Sequence, residues 1–201
     1  YPYIRGGVSA WVHQIITGLP DLTFALIFLG GAREHYGEMQ YELPDNVKHL
    51  ETHYLMESWD SGKPKKCEGN REAFKDSSKL HDLFKADTLD IPDNLLDSVF
   101  CSLGQEDGIS HKDFLYSKAA WELVTDKYEK YCTEPSFIDY FWSVRTMHAP
   151  LFTLAKVARE APRVRALHSV STGYAGLLGT MIQRQRKIPY ILTEHGIYTK
   201  E

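Results

Sequence analysis

The sequence predicts an α/β fold, a Rossmann-like parallel sheet with a helical insertion. The chain opens with a glycine-rich loop, an amphipathic helix and an unbroken apolar strand, and the same alternation of strand and helix returns near its end. Unbroken apolar strands are typical of parallel sheets that helices cover on both faces. Between the two parts, over about 58–161, the pattern is helical and too long for an ordinary crossover, which indicates an insertion.

The first elements follow from the glycines and the apolar spacing. Gly6 and Gly7 form a loop, and a helix is predicted over 8–19 because apolar residues recur there at helical intervals. These residues are expected to form one buried stripe: Val8, Trp11, Val12, Ile15, Ile16 and Leu19. The apolar run 24–29 predicts a strand buried on both faces, and 47–55 a weaker one. Loop, helix and strand form the second half of a βαβ unit, whose opening strand is expected upstream of the first residue.

The middle of the chain is predicted to be helical after a polar loop over 58–69. One helix is expected over 110–132, with Ser110 as its N-cap. A second helical region covers 136–161, where Pro150 is expected to interrupt the backbone hydrogen bonding.

The α/β pattern returns after Pro162. A short strand is predicted over 164–169, followed by a Ser/Thr/Gly loop and a helix over 174–186 whose small residues suit close packing on a sheet. A buried strand over 189–193 comes next, and Glu194, His195 and Gly196 follow it. Ligands of open parallel sheets bind beyond the carboxyl ends of the strands. The loops holding Gly6 and Gly7, His168, and His195 are therefore expected to border one crevice.

Gly6 and Gly7 precede a helix, and the free N–H groups and dipole of a helix N-terminus favour anions. Two glycines would let a phosphate approach the backbone, although the three-glycine dinucleotide fingerprint is absent from the sequence. The alternative is a tight turn required by packing. Arg5 could pair with the same phosphate or remain solvated.

His195 is the candidate catalytic residue. A histidine beyond the end of a strand can hydrogen-bond a sugar hydroxyl or stabilise developing charge, and Gly196 would leave room for the ligand. His168 and the loop after it could line the same crevice. The alternative for both histidines is a structural role at the end of a strand.

Composition excludes several classes of protein. A net charge of −4 is unlike that of a nucleic-acid binder, so no nucleic-acid partner is expected. The three cysteines form no disulfide or metal-ligand pattern and are interpreted as reduced thiols of a cytoplasmic protein. No apolar run is long enough to span a bilayer, and the histidines share no metal-binding spacing.

Five segments resemble the N-terminal region of the PelF-type glycosyltransferases of Pel exopolysaccharide biosynthesis. They are YPYIRGGVSAWVHQIITGLP, FALIFLG, SFIDYFWSVRTMHAPLF, HSVSTGYAGLLG and ILTEHGIYTKE, which together span most of the chain. That family is similar to the retaining GT-B enzymes of glycosyltransferase family 4. Residues 56–108 contribute nothing to the resemblance.

The resemblance implies two Rossmann-like domains with the active site between them. Residues 1–201 would be the N-terminal, acceptor-side domain, and the donor-binding domain would be absent from this chain. Gly6 and Gly7 would lie against the donor diphosphate or the reacting centre, and His195 near the transferred sugar. The expected donor is a UDP-sugar, UDP-glucose above all, with no cofactor and no metal.

The same resemblance implies retention of configuration and a growing polysaccharide as acceptor. Its implied partners are inner-membrane proteins of exopolysaccharide synthesis and export, which would hold a cytoplasmic enzyme at the periphery of that membrane. Two other functions stay open at this point. One is a non-catalytic sensor of sugars or nucleotides on the same fold, and the other is a protein-interaction module that uses the helical insertion.

Overall fold

A computed structural model describes residues 1–57, 63, 66–86, 90–133 and 136–195. It confirms the α/β fold class. The chain divides into two compact units, one formed by residues 1–58 and 157–201 and the other by residues 59–156.

The first unit carries all four strands of the described chain. Helix α1 (Gly7–Gly18) is followed by β1 (Phe24–Gly30), a short 3-10 helix (Arg33–His35) and β2 (Val47–Tyr54). The second part of this unit contains the end of helix α6 (Phe137–Glu160). It continues with β3 (Leu167–Ser169), α7 (Gly173–Arg186) and β4 (Tyr190–Leu192).

Strand pairing is parallel, as predicted, but the described strands form two pairs rather than one sheet. β1 pairs with β2, and β3 pairs with β4. A cavity of about 180 Å³ separates the pairs, lined on one side by Ala25, Ile27 and Leu29 and on the other by residues 166–170. Hydrogen bonding therefore stops at β1 and at β3 within the described ranges.

Three burial predictions for this unit were wrong. Residues 24–29 of β1 are half-buried rather than buried on both faces. In α1, Ile16 is 1% exposed, whereas Val8 is 39% exposed and Leu19 lies beyond the end of the helix. β4 was expected to be buried, but Ile191 and Leu192 are 57% and 47% exposed. The apolar run alone did not distinguish a covered strand from one with an open face.

The second unit is helical. It contains α2 (Arg71–Lys85), α3 (Asp93–Ser102), α4 (His111–Tyr116), α5 (Lys118–Tyr131) and most of α6 (Phe137–Glu160). The helix break predicted at Pro150 is absent: α6 runs through this fully buried proline, which has no N–H to donate to the preceding turn. The single helix predicted over 110–132 is instead two helices that meet at Ser117. None of the helices in the described part combines the length and apolarity that crossing a bilayer requires.

Candidate functional site

The N-terminus of α1 is open. Gly6 is its N-cap and Gly7 its first residue, and the Ala10 N–H donates to the Gly6 carbonyl at 2.9 Å. No side chain caps this end, and its first turn contains no acidic residue. The first N–H groups of a helix have no intrahelical acceptor, so this end can bind an anion.

Neither glycine is required by packing. A Cβ atom built on Gly6 or Gly7 would meet no atom of the described structure within 4 Å, and both residues are exposed. Gly6 has φ 165° and ψ 172°, an extended conformation that any residue adopts. A tight turn required by packing therefore does not account for this glycine pair.

The Trp11 ring on α1 contacts both predicted histidines, His168 and His195. Its ring centroid lies 4.7 Å from that of His195 and 5.7 Å from that of His168, with both ring pairs close to perpendicular. Trp11 stands one helical turn after Gly7. The structure therefore brings the first turns of α1, strand β3 and the segment after β4 together.

His168 is held by the neighbouring strand. Its Nε2 lies 2.8 Å from Thr193 Oγ1, just after β4. Burial, followed by the nearby His195, lowers the pKa of His168. Its imidazole is therefore neutral at pH 7, with one nitrogen donating and the other accepting.

His195 is exposed and lies three residues after β4. Its backbone N–H donates to Glu194 Oε1 at 2.9 Å, which fixes the local turn and leaves the imidazole against Trp11. Gly196, the predicted neighbour of the ligand, lies outside the described residues. Arg5 is exposed beside Gly6, and no hydrogen bond or ion pair joins it to another described residue.

A second helix N-terminus follows β3. Gly173 begins α7 with φ +67°, a left-handed conformation that favours glycine, and an added Cβ would again meet nothing within 4 Å. Thr172 is the N-cap, but its side chain makes no capping hydrogen bond. The Ser169 hydroxyl donates to the Ala175 carbonyl at 2.9 Å and holds the loop against the helix.

Sequence reasoning missed two members of this group, Trp11 and Thr193. Trp11 was assigned to the buried stripe of α1 because it occupies a helical interval, although its ring lies between helix and histidines. Thr193 was interpreted only as the end of a strand. For Trp11, the available signal in the sequence was a tryptophan one helical turn after a glycine pair.

The arrangement offers backbone N–H groups, two imidazoles, a hydroxyl and an indole within one part of the first unit. These groups suit a ligand that combines hydroxyls with negative charge. Across the described ranges, no three His, Cys, Asp or Glu side chains converge where a metal ion could be held.

Comparison with protein families gives one finding. The model of a domain of unknown function, DUF3492, matches residues 1–201. The chain belongs to the DUF3492 family. Searches of curated proteins and of solved structures returned no match to this DUF3492 domain. The family's description states no activity, so any function rests on the residues themselves.

Proposed function

We propose that this DUF3492 domain is the N-terminal, acceptor-side part of a retaining GT-B glycosyltransferase of the PelF type. The enzyme transfers a hexose from a UDP-sugar, UDP-glucose above all, to a growing exopolysaccharide. The observation that carries the proposal is the open Gly6–Gly7 end of α1, one turn from Trp11 and its contacts with His168 and His195.

The chemistry required is the departure of a diphosphate from the anomeric carbon. Negative charge develops on that diphosphate, and preorganised N–H groups stabilise such charge strongly where water is excluded. The open N-terminus of α1 supplies N–H groups at a position where no Cβ blocks approach. His195 then serves as a hydrogen-bond partner of the transferred sugar, and His168 as a neutral neighbour of the same crevice.

The remaining parts of the proposal follow from the resemblance to PelF-type enzymes. Donor-binding acidic and basic residues are assigned to a second Rossmann-like domain. The acceptor is a polysaccharide, and inner-membrane proteins of synthesis and export are the partners of a cytoplasmic, metal-independent enzyme. No cofactor beyond the UDP-sugar substrate is part of the mechanism.

Chemical-shift mapping tests the binding site. The 201-residue chain is titrated with UDP-glucose, and backbone amides and the four tryptophan indoles are followed. We expect the shifts to concentrate at Gly6, Gly7, Ser9 and the Trp11 indole, with weaker effects at His168 and His195. Shifts confined to residues 66–156 would contradict the proposal and favour a role for the helical unit.

Replacement of His195 tests catalysis in the enzyme that carries the donor domain. Loss of one well-placed hydrogen-bond partner in a preorganised site lowers turnover on the order of a hundredfold. His195→Ala is therefore expected to reduce UDP release by about that factor while leaving the melting temperature almost unchanged, since the side chain is exposed. Near-normal turnover with a lowered melting temperature would make His195 structural.

A further inference from the structure

The helical unit contains a cavity of about 730 Å³ that the proposed transferase mechanism does not use. Its volume falls within the ~300–1,000 Å³ of typical small-molecule sites. Helices α4, α5 and α6 and the segment before α2 form the walls. Prominent side chains among its described lining are Lys66, Phe114, Lys118, Trp121, Phe141 and Arg145.

The break between α4 and α5 shapes this cavity. Ser117 adopts an extended conformation, with φ −79° and ψ 155°, and its Oγ accepts the Ala120 N–H at 3.1 Å as the N-cap of α5. Because α4 ends at Tyr116, the carbonyl of Leu115 has no partner in the helical ladder. Arg145 Nη2 on α6 donates to that carbonyl across the cavity.

Arg145 lines the cavity beside two aromatic rings. Its guanidinium carbon lies 4.3 Å from the ring centroid of Phe141 and 5.9 Å from that of Trp142. Burial lowers the pKa of this arginine, so its charge is incompletely hydrated. Within the described part of the chain, Arg145 forms no ion pair with a carboxylate. A partly buried cation in this state is stabilised by an anion that brings its own charge.

The other charged groups of the cavity have the same sign or are already paired. Lys66 and Lys118 also line it, and Lys118 Nζ lies 3.7 Å from exposed Glu122. Glu68 is the only carboxylate among the described lining residues, and it pairs with Arg71 at 3.2 Å. The cavity is therefore cationic.

An apolar surface lies beside these cations. Trp121 is 51% exposed although it lines the cavity, and its ring stands perpendicular to Phe137 at a centroid distance of 5.6 Å. Phe114 and Val124 extend the apolar wall. A half-exposed tryptophan and an arginine that line the same cavity suit a ligand with a flat apolar body and an acidic group.

We propose that this cavity binds a small organic anion, with its apolar ring against Trp121 and its acidic group paired with Arg145. The site belongs to the helical unit and does not depend on the transferase proposal. Carboxylates, sulfonates and phosphate monoesters share the recognised chemistry.

A pair of fluorescent probes tests the charge requirement. 8-Anilinonaphthalene-1-sulfonate carries the acidic group, and N-phenyl-1-naphthylamine has the same ring system without it. We expect saturable binding of one sulfonate per chain, at least tenfold tighter than binding of the neutral probe, because a charged hydrogen bond contributes to the first alone. Equal affinity for the two probes would overturn the proposal.

Three variants locate the site. Arg145→Met should remove the tenfold preference, Arg145→Lys should keep part of it, and Trp121→Ala should weaken both probes by a similar factor. Arg163→Met is the matched control, because this exposed arginine lies in the other unit, and it should change neither affinity. An unchanged preference in folded Arg145→Met would overturn the proposal. If that variant does not fold, unchanged affinities in Trp121→Ala, whose side chain is half exposed, overturn it instead.

Discussion

At the scale of single residues, two glycines of α7 look alike in the sequence but differ in their surroundings. A Cβ on Gly179 would lie 2.5 Å from the Tyr190 ring, whereas one on Gly176 would find its nearest neighbour, the Ser171 carbonyl, at 3.5 Å. Tyr190 also donates from its hydroxyl to the Gly176 carbonyl at 2.9 Å. The predicted close packing of α7 on the strands therefore depends on Gly179, and only the structure separates it from Gly176.

Gly179→Ala is expected to lower the free energy of unfolding by about 1–3 kcal/mol, the usual cost of overpacking. Gly176→Ala is the matched control, and it should be neutral or stabilising by up to ~1 kcal/mol because alanine favours the helix interior. Urea unfolding of both variants measures the difference. Equal stabilities for the two variants would show that the Tyr190 ring moves aside freely.

Two side chains that are distant in sequence cap helices. Asn46 Nδ2 donates to the Ile16 carbonyl at 2.9 Å near the end of α1. Arg186 donates to the carbonyls of Ala161 and Pro162, each at 2.7 Å, beyond the end of α6. Sequence patterns identify capping residues adjacent to a helix. These capping side chains are 24 or more residues away from the carbonyls that they bind, so the sequence alone does not predict them.

Removal of the Arg186 cap should destabilise the first unit. Arg186→Met leaves several carbonyls without this donor, and we expect a loss of about 1–3 kcal/mol, with the aliphatic packing retained. Arg163→Met, at an exposed position, should change stability by less than ~0.5 kcal/mol. Thermal melting compares the two, and an equal effect would mean that the carbonyls are satisfied by water instead.

At the scale of elements, the sequence located the helices better than their breaks. Ser110 caps α4 as predicted, with Asp113 completing a capping box. The break at Ser117 was missed because it depends on distant backbone pairing, in which Lys118 donates to the Cys67 carbonyl at 2.9 Å. The break expected at Pro150 did not form. Helix α6 is uninterrupted there, and the proline is completely buried.

In the candidate site, too, some features could be predicted from the sequence and others could not. Gly6, Gly7, His168 and His195 could be selected from sequence because each stands at the end of an element, where parallel sheets bind ligands. Their grouping around Trp11 could not, because helical periodicity assigns an apolar residue to a face without saying what that face contacts. Their binding roles stay predictions.

A histidine pair joins α2 and α6. His81 Nε2 lies 3.1 Å from His148 Nε2, and each Nδ1 lies 2.7 Å from a backbone carbonyl of its own helix. Carbonyls only accept, so each Nδ1 carries a proton, and the contact is a hydrogen bond when one Nε2 is also protonated. Burial lowers the pKa of His148, and the nearby His81 adds to the effect.

The lowered pKa of His148 makes stability depend on pH. A depressed folded pKa means that the unfolded chain takes up the proton first, so stability is complete above the unfolded histidine pKa of ~6.5 and falls as pH decreases below it. Each such histidine contributes a slope of at most ~1.4 kcal/mol per pH unit. His148→Gln should reduce the slope measured by urea unfolding between pH 7.5 and 5, whereas exposed His35→Gln should not. Identical slopes in the wild type and His148→Gln would contradict the assignment.

At the scale of the whole molecule, the two units differ in chemistry. The first unit carries the candidate-site groups near α1, β3 and β4, and the second carries the cationic aromatic cavity. A sensor or an interaction module would need only the candidate site of the first unit or only the cavity of the second. Variants in each unit therefore distinguish these functions from a transferase. Activity that depends on the first unit but not on Arg145 favours a transferase whose helical unit has a separate ligand.

The transferase proposal predicts weak donor binding by this chain alone. In the described part, the candidate site offers backbone N–H groups and a neutral His168, and the exposed cation Arg5 precedes Gly6 in the sequence. Such a site neutralises little of a diphosphate's charge, so we expect a Kd for UDP-glucose weaker than roughly 0.1 mM, about −5.5 kcal/mol, and no release of UDP. Calorimetry with UDP-glucose, and with UMP as the control that lacks both the second phosphate and the glucose, measures it. Sub-micromolar affinity would mean that these residues form a complete nucleotide site, and the assignment of donor binding to a second domain would then be wrong.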